Sequence, residues 1–151
     1  MHLVTTDALS PTMIKFGAPG SIVRDYVHWS VLLRPKQVTL GSLVLIAKEA
    51  VTAFPMLSIA AFEELKAITA DIEQVLRQCF EHDKINYLML MMVDPDVHFH
   101  VIPRYCNART FDGVEFADPG WPGPPRLDVA TETGEIVNNS LSDQLIRSWP
   151  N

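Results

Sequence analysis

The chain has 151 residues, 12 Lys and Arg against 18 Asp and Glu for a formal net charge of −6, and 48% apolar residues. That length supports a core without disulfide help, and the negative sign argues against a polynucleotide or an anionic membrane surface as partner while leaving room for a local cationic pocket. Cys79 and Cys106 lack metal-ligand spacing and read as free thiols of a reducing cytoplasm, and no apolar run approaches the roughly 18–20 residues of a membrane span.

Residues 1–21 contain Pro11, Gly17, Pro19 and Gly20 with little periodicity, which predicts an irregular lead-in with room for a short strand or helical turn; His2 within it is assigned no role. From Ile22 the chain turns β-branched and aromatic. Tyr26 to Leu33 predicts a central strand ending at Arg34-Pro35-Lys36, and Ser42 to Lys48 its antiparallel partner. His28 alternates with Tyr26 and Ser30 and reads as a structural or solvated histidine. Ser58 is an N-cap, and Ile59, Phe62, Leu65, Ile68, Ile72, Val75, Leu76 and Cys79 then recur every three or four residues, predicting one long amphipathic helix across the sheet. His82 near its end suits the negative pole of the helix dipole.

Ile85 to Val93 is almost unbroken in its apolar character, which predicts a strand buried on both faces, with Asp94 and Pro95 forming a tight turn. After Tyr105 the prolines and glycines of 118–125 preclude a long regular element. That segment is expected to wrap over the domain with Trp121 and Phe111 or Phe116 as anchors, and 140–149 to form a terminal helix. The organisation is a lead-in (1–21), a core (22–105) and an extension packed on the same domain (106–151).

The stretch from Asp94 to Arg104, DPDVHFHVIPR, concentrates the chemistry. On a strand, Asp96, His98, His100 and Ile102 share one face, and Val97, Phe99 and Val101 the other. Two imidazoles about 6.5–7 Å apart, with a carboxylate the same distance beyond, suit a phosphate, a metal or each other. The four methionines of 85–93 fit an adaptable core or pocket wall better than a metal box.

The run His98-Phe-His-Val-Ile-Pro-Arg104 resembles the end of the motif of the histidine triad (HIT) superfamily of nucleotide hydrolases and transferases, short-loop members of the diadenosine-polyphosphate-hydrolase type in particular. The likeness extends back through 26–35, 39–48, the long helix and 84–95, about residues 20–105. It implies an α+β fold: a mainly antiparallel sheet of about five strands, one long helix and a shorter helical piece. It also implies a homodimer, and a nucleotide-like small molecule as ligand. By motif alignment His98 matches the middle histidine, which attacks the α-phosphorus, and His100 the third, which orients the site and stabilises phosphate charge. Tails in the family reach the site or the dimer partner, which makes Trp121 a candidate pocket residue.

The chain departs from the pattern at four positions. Asp96 replaces the first histidine, Ser42 stands where histidine often begins the strand after the glycine, Arg34 replaces an acidic or amide residue that usually holds the ribose, and Met92 a common Asn. An ionised Asp96 about 5 Å from a phosphate charge would cost about 3 kcal/mol at an effective dielectric of 20, which calls for Arg34 or Arg104 as compensating cation. Alternatively Asp96 serves as general acid or base, or orients an imidazole. Three readings follow: cofactor-free, metal-independent cleavage of a nucleoside phosphoryl bond through a His98 adduct; a non-catalytic nucleotide-binding or dimeric interaction protein; and a metal site at Asp96, His98 and His100.

Overall fold

The computed structural model describes residues 9–151; His2 lies outside them. Five antiparallel strands form the main sheet in the order β1-β2-β3-β5-β4, with β1 at Ile22–Asp25, β2 at Trp29–Leu33, β3 at Leu43–Ala47, β4 at Lys84–Leu88 and β5 at His98–Arg104. β2 and β3 are buried along their whole length because both faces of the sheet are covered. Pairing of β3 with β5 sets Val44 opposite His100 and Ile46 opposite His98. The face carrying Val31, Leu33, Leu43, Leu45 and Val101 packs on helix α2, Ile59–Phe80. On the opposite face Leu32, Val44 and Ile46 meet Met13 and Phe16 of the short helix α1, Pro11–Lys15, and its C-cap.

Helix α2 starts where the sequence says it should, with the Ser58 hydroxyl accepting from the Ala61 N–H at 3.1 Å. Its buried stripe is Ala61, Ile68, Ile72, Val75, Leu76 and Phe80, whereas Ile59 and Phe62 of the first turns remain exposed. Trp29 in β2 is fully buried and donates its indole N–H to the Ala61 carbonyl at 2.8 Å, which fixes the helix against the sheet. Gly41, at φ +83°, lets the turn before β3 pass under the helix; a Cβ there would sit 2.8 Å from the Phe80 ring.

Several sequence expectations change. Of the short strand or helical turn the lead-in allowed, the structure has the helical one, α1, started by the Ser10 cap and Pro11. The central strand expected over Tyr26 to Leu33 begins only at Trp29, a separate strand β1 precedes it, and His28 lies in the turn between them. The apolar run 85–93 is a strand only as far as Leu88, at the half-exposed edge of the sheet; 89–97 is a loop, not a tight turn at Asp94-Pro95. In the extension, β6 (Arg109–Phe111) and β7 (Val114–Phe116) form a hairpin around Asp112-Gly113, both at positive φ as a two-residue hairpin turn of this kind demands. Phe116 is its buried anchor. The terminal helix α3 spans Glu135–Ser148, starting five residues earlier than expected, and Trp149 beyond it donates to the Tyr26 hydroxyl, which itself donates to Asp71 of α2.

Candidate functional site

Strand β5 presents His98 and His100 on the face away from α2, with ring centroids 5.2 Å apart in an edge-on arrangement. Phe16, at the end of α1, lies 6.2 Å from the first ring and 5.9 Å from the second and roofs both. The imidazoles are therefore largely withdrawn from solvent, at 2% and 7% exposure, yet both line a cavity of about 340 Å³. Its other walls are Lys15 from α1, Arg34, Pro35 and Lys36 from the turn after β2, and Leu90 to Asp94 from the β4–β5 loop.

Hydrogen bonding fixes the chemistry of each ring. The Nδ1 of His98 lies 2.7 Å from the Asp96 carbonyl, and since a carbonyl can only accept, Nδ1 carries the proton. In the neutral ring Nε2 then keeps its lone pair. His100 has no such partner, its Nδ1 being buried and unpaired. Burial, reinforced by the neighbouring His98 and Arg34, pushes its pKa down to about 4, so that this ring is neutral at physiological pH.

The cavity holds three cations and one carboxylate. Lys15 spans from α1 to Asp94, its ammonium 2.8 and 3.0 Å from the two carboxylate oxygens. Arg34 donates to the Lys36 carbonyl at 2.6 Å, while its Nε is a buried donor with no acceptor among the described residues. Apolar side chains at 90–93 and Phe16 face this charge, an arrangement that suits a ligand with an anionic end and a flat or apolar end.

Of the residues singled out from sequence, His98, His100, Arg34 and Met92 come together around this cavity; Asp96, Ser42, Arg104 and Trp121 do not line it. β5 begins only at His98, so strand alternation does not extend to Asp96, whose carboxylate turns to α1 and accepts from the Thr12 N–H and hydroxyl. Among the described residues no three His, Cys, Asp or Glu converge as metal ligands, and the Asp96/His98/His100 metal site lacks its donor set. Ser42 is buried in its own turn, donating to the Thr39 carbonyl at 2.8 Å and accepting from the Thr39 N–H. Arg104 is spent on Asp118, Asn86 and the Gly123 carbonyl, and Trp121 sits in the segment this arginine secures. Sequence reading missed Lys15, Phe16, Lys36 and Asp94. The Ser10-Pro11 start signal, followed by apolar Met13 and Phe16 three apart, was the available clue to the first two.

No protein-family model matches the sequence, and no curated protein matches it by sequence. Solved structures do match in three dimensions. A histidine triad protein of Sinorhizobium meliloti has a TM-score of 0.72 at 19% identity, covering 93% of this chain and 95% of that one. One from Bradyrhizobium japonicum gives 0.72 at 17%, over 93% and 96% of the two chains. A protein of Sulfolobus tokodaii described as a hypothetical histidine triad nucleotide-binding protein gives 0.66 at 16%, over 91% and 88%. The fold of this chain is accordingly that of the histidine triad proteins, shared across nearly its whole length, extension included.

Proposed function

We propose that the chain is a nucleotide hydrolase or nucleotidyl transferase that cleaves a nucleoside phosphoryl bond, of the dinucleoside polyphosphate or phosphoramidate type, through a covalent adduct on His98. The observation that carries this reading is the Nδ1–H···O=C bond of His98, which leaves Nε2 as nucleophile at the edge of a cavity lined by Lys15, Arg34 and Lys36. Nε2 attacks phosphorus, the bond to the leaving group breaks, and the leaving group departs with the electron pair. The ring then carries a positive charge, which the Asp96 carbonyl stabilises by accepting the hydrogen bond from Nδ1–H. Water or another acceptor attacks the phosphorus next and gives up its proton to solvent, the N–P bond breaks with its electron pair returning to Nε2, and the neutral imidazole is restored. His100, neutral beside it, adds no competing charge and is available to hydrogen bond a phosphate oxygen.

The cations neutralise the phosphate, and the apolar wall at 90–93 receives the nucleoside end. The nucleotide-binding designation of the Sulfolobus protein supports the same ligand class. Among the described residues β4 pairs with β5 alone, and the exposed Leu90, Met92 and Val93 follow it in the chain, which supports a homodimer through that side. The two free thiols fit a cytoplasmic setting.

One observation favours the alternative of a non-catalytic nucleotide-binding protein, namely the low exposure of both rings, against which Phe16 packs. Mass spectrometry of the protein mixed with nucleoside polyphosphates, nucleotide sugars and phosphoramidates separates the two. A nucleotidyl mass shift lost in His98→Ala is expected; thermal stabilisation by a nucleotide with neither adduct nor product would instead establish binding alone.

A further inference from the structure

Resting on that reading of His98 and deepening it, we propose that Thr12 is a positioning residue, which through the Asp96 carboxylate fixes the main-chain carbonyl that selects the reactive His98 tautomer.

Thr12 is 1% exposed, and both its donors, the N–H at 3.2 Å and the hydroxyl, converge on Oδ2 of Asp96. The same residue's carbonyl accepts from His98 Nδ1. Side chain and carbonyl of Asp96 branch from one Cα, so clamping the first restricts the movement of the second. A carboxylate is suited to this place because it only accepts, and it can take two donors on one oxygen; a histidine could offer a single acceptor nitrogen.

The clamp also holds α1, which at five residues is too short to persist without tertiary contacts. From it Lys15 reaches Asp94 and Phe16 lies against both imidazoles, so Thr12, Lys15 and Phe16 all bear on residues 94–100. Freed of the Thr12 contact, the Asp96 carbonyl no longer enforces Nδ1–H, and His98 populates the tautomer whose Nε2 carries the proton and lacks a lone pair for phosphorus. Asp96 thereby contributes to the site from outside the cavity.

The test reads the ring directly, by 15N chemical shifts of His98 in ligand-free protein near pH 7.5, each variant checked for a cooperative thermal melt. Wild type and Thr12→Ser, which keeps both donors, are expected to show the Nδ1–H tautomer. Thr12→Val and Asp96→Ala, which keeps the backbone carbonyl, are expected to show a mixture, with adduct formation slowed about ten- to a hundredfold. Wild-type ring shifts in either folded variant would overturn the proposal, as would an Nε2–H tautomer in wild type itself, a measurement that requires no variant to fold. Since no ligand is involved, this outcome is separate from whether His98 forms an adduct at all.

Discussion

Replacing Arg104 by Met should loosen the C-terminal extension and leave the cavity intact. The guanidinium donates to Asp118 through Nε at 2.7 Å and Nη2 at 3.1 Å, to the Asn86 side chain at 2.8 Å and to the Gly123 carbonyl at 2.9 Å. Both partners of the ion pair are buried, with side chains only 5% and 1% exposed. Methionine fills much of the volume but abandons the Asp118 charge with a single remaining donor, the Tyr105 N–H. Stranding one partner of a buried pair costs about 3–5 kcal/mol, whereas replacing both by apolar groups is close to neutral. Urea unfolding should therefore show a loss of about 3–5 kcal/mol in Arg104→Met, with a fall of roughly 10–15 °C in melting temperature, much of it recovered in Arg104→Met/Asp118→Leu. Hydrogen exchange should rise first between residues 105 and 123, while inorganic pyrophosphate still binds. A loss below about 1 kcal/mol, or a variant as stable as wild type that no longer binds pyrophosphate, would refute the structural assignment of this arginine and return it to the phosphate.

The depressed pKa of His100 links stability to pH. Above the ordinary value of 6.5 the ring is neutral folded and unfolded; below it the unfolded chain takes up a proton that the native site refuses until about pH 4. Stability should thus be fully present above 6.5 and fall by on the order of 2–3 kcal/mol as pH drops to 4, a slope that chemical denaturation should find flattened in His100→Gln; parallel curves for the two proteins would contradict it. Asp94→Asn releases Lys15, so pyrophosphate should bind about three- to tenfold tighter at low ionic strength, the gain shrinking with salt, and Lys15→Met should weaken it. Calorimetry showing no change in either variant would remove the lysine from the anion site. Gly41→Ala, forced to positive φ against the Phe80 ring, should lose about 2–3 kcal/mol in a thermal melt, and a loss of under half that would mean the turn can shift.

Sequence alone determined what depends on local periodicity. Alternation set His98 and His100 on one face, and recurrence every three or four residues with Ser58 ahead of it located α2 from Ile59 to Phe80. The same rule misled where an element ended sooner than its pattern. Asp96 lies before β5 and not on it, and the apolar run after Leu88 leaves the sheet as a loop because its residues wall a cavity and an edge. Only tertiary structure decided the partners of the charges: Lys15 meets Asp94 across 79 residues, Thr12 meets Asp96 across 84, and Arg104 finds Asp118 in a segment without regular pattern. Periodicity reports which way a side chain leaves its own backbone, but the free energy of a charge is set by whichever chain segment folds against it. Thus the motif announced two neighbouring imidazoles on one strand face, and the fold assigned the carboxylate beside them to holding a helix and a distant lysine to the cavity.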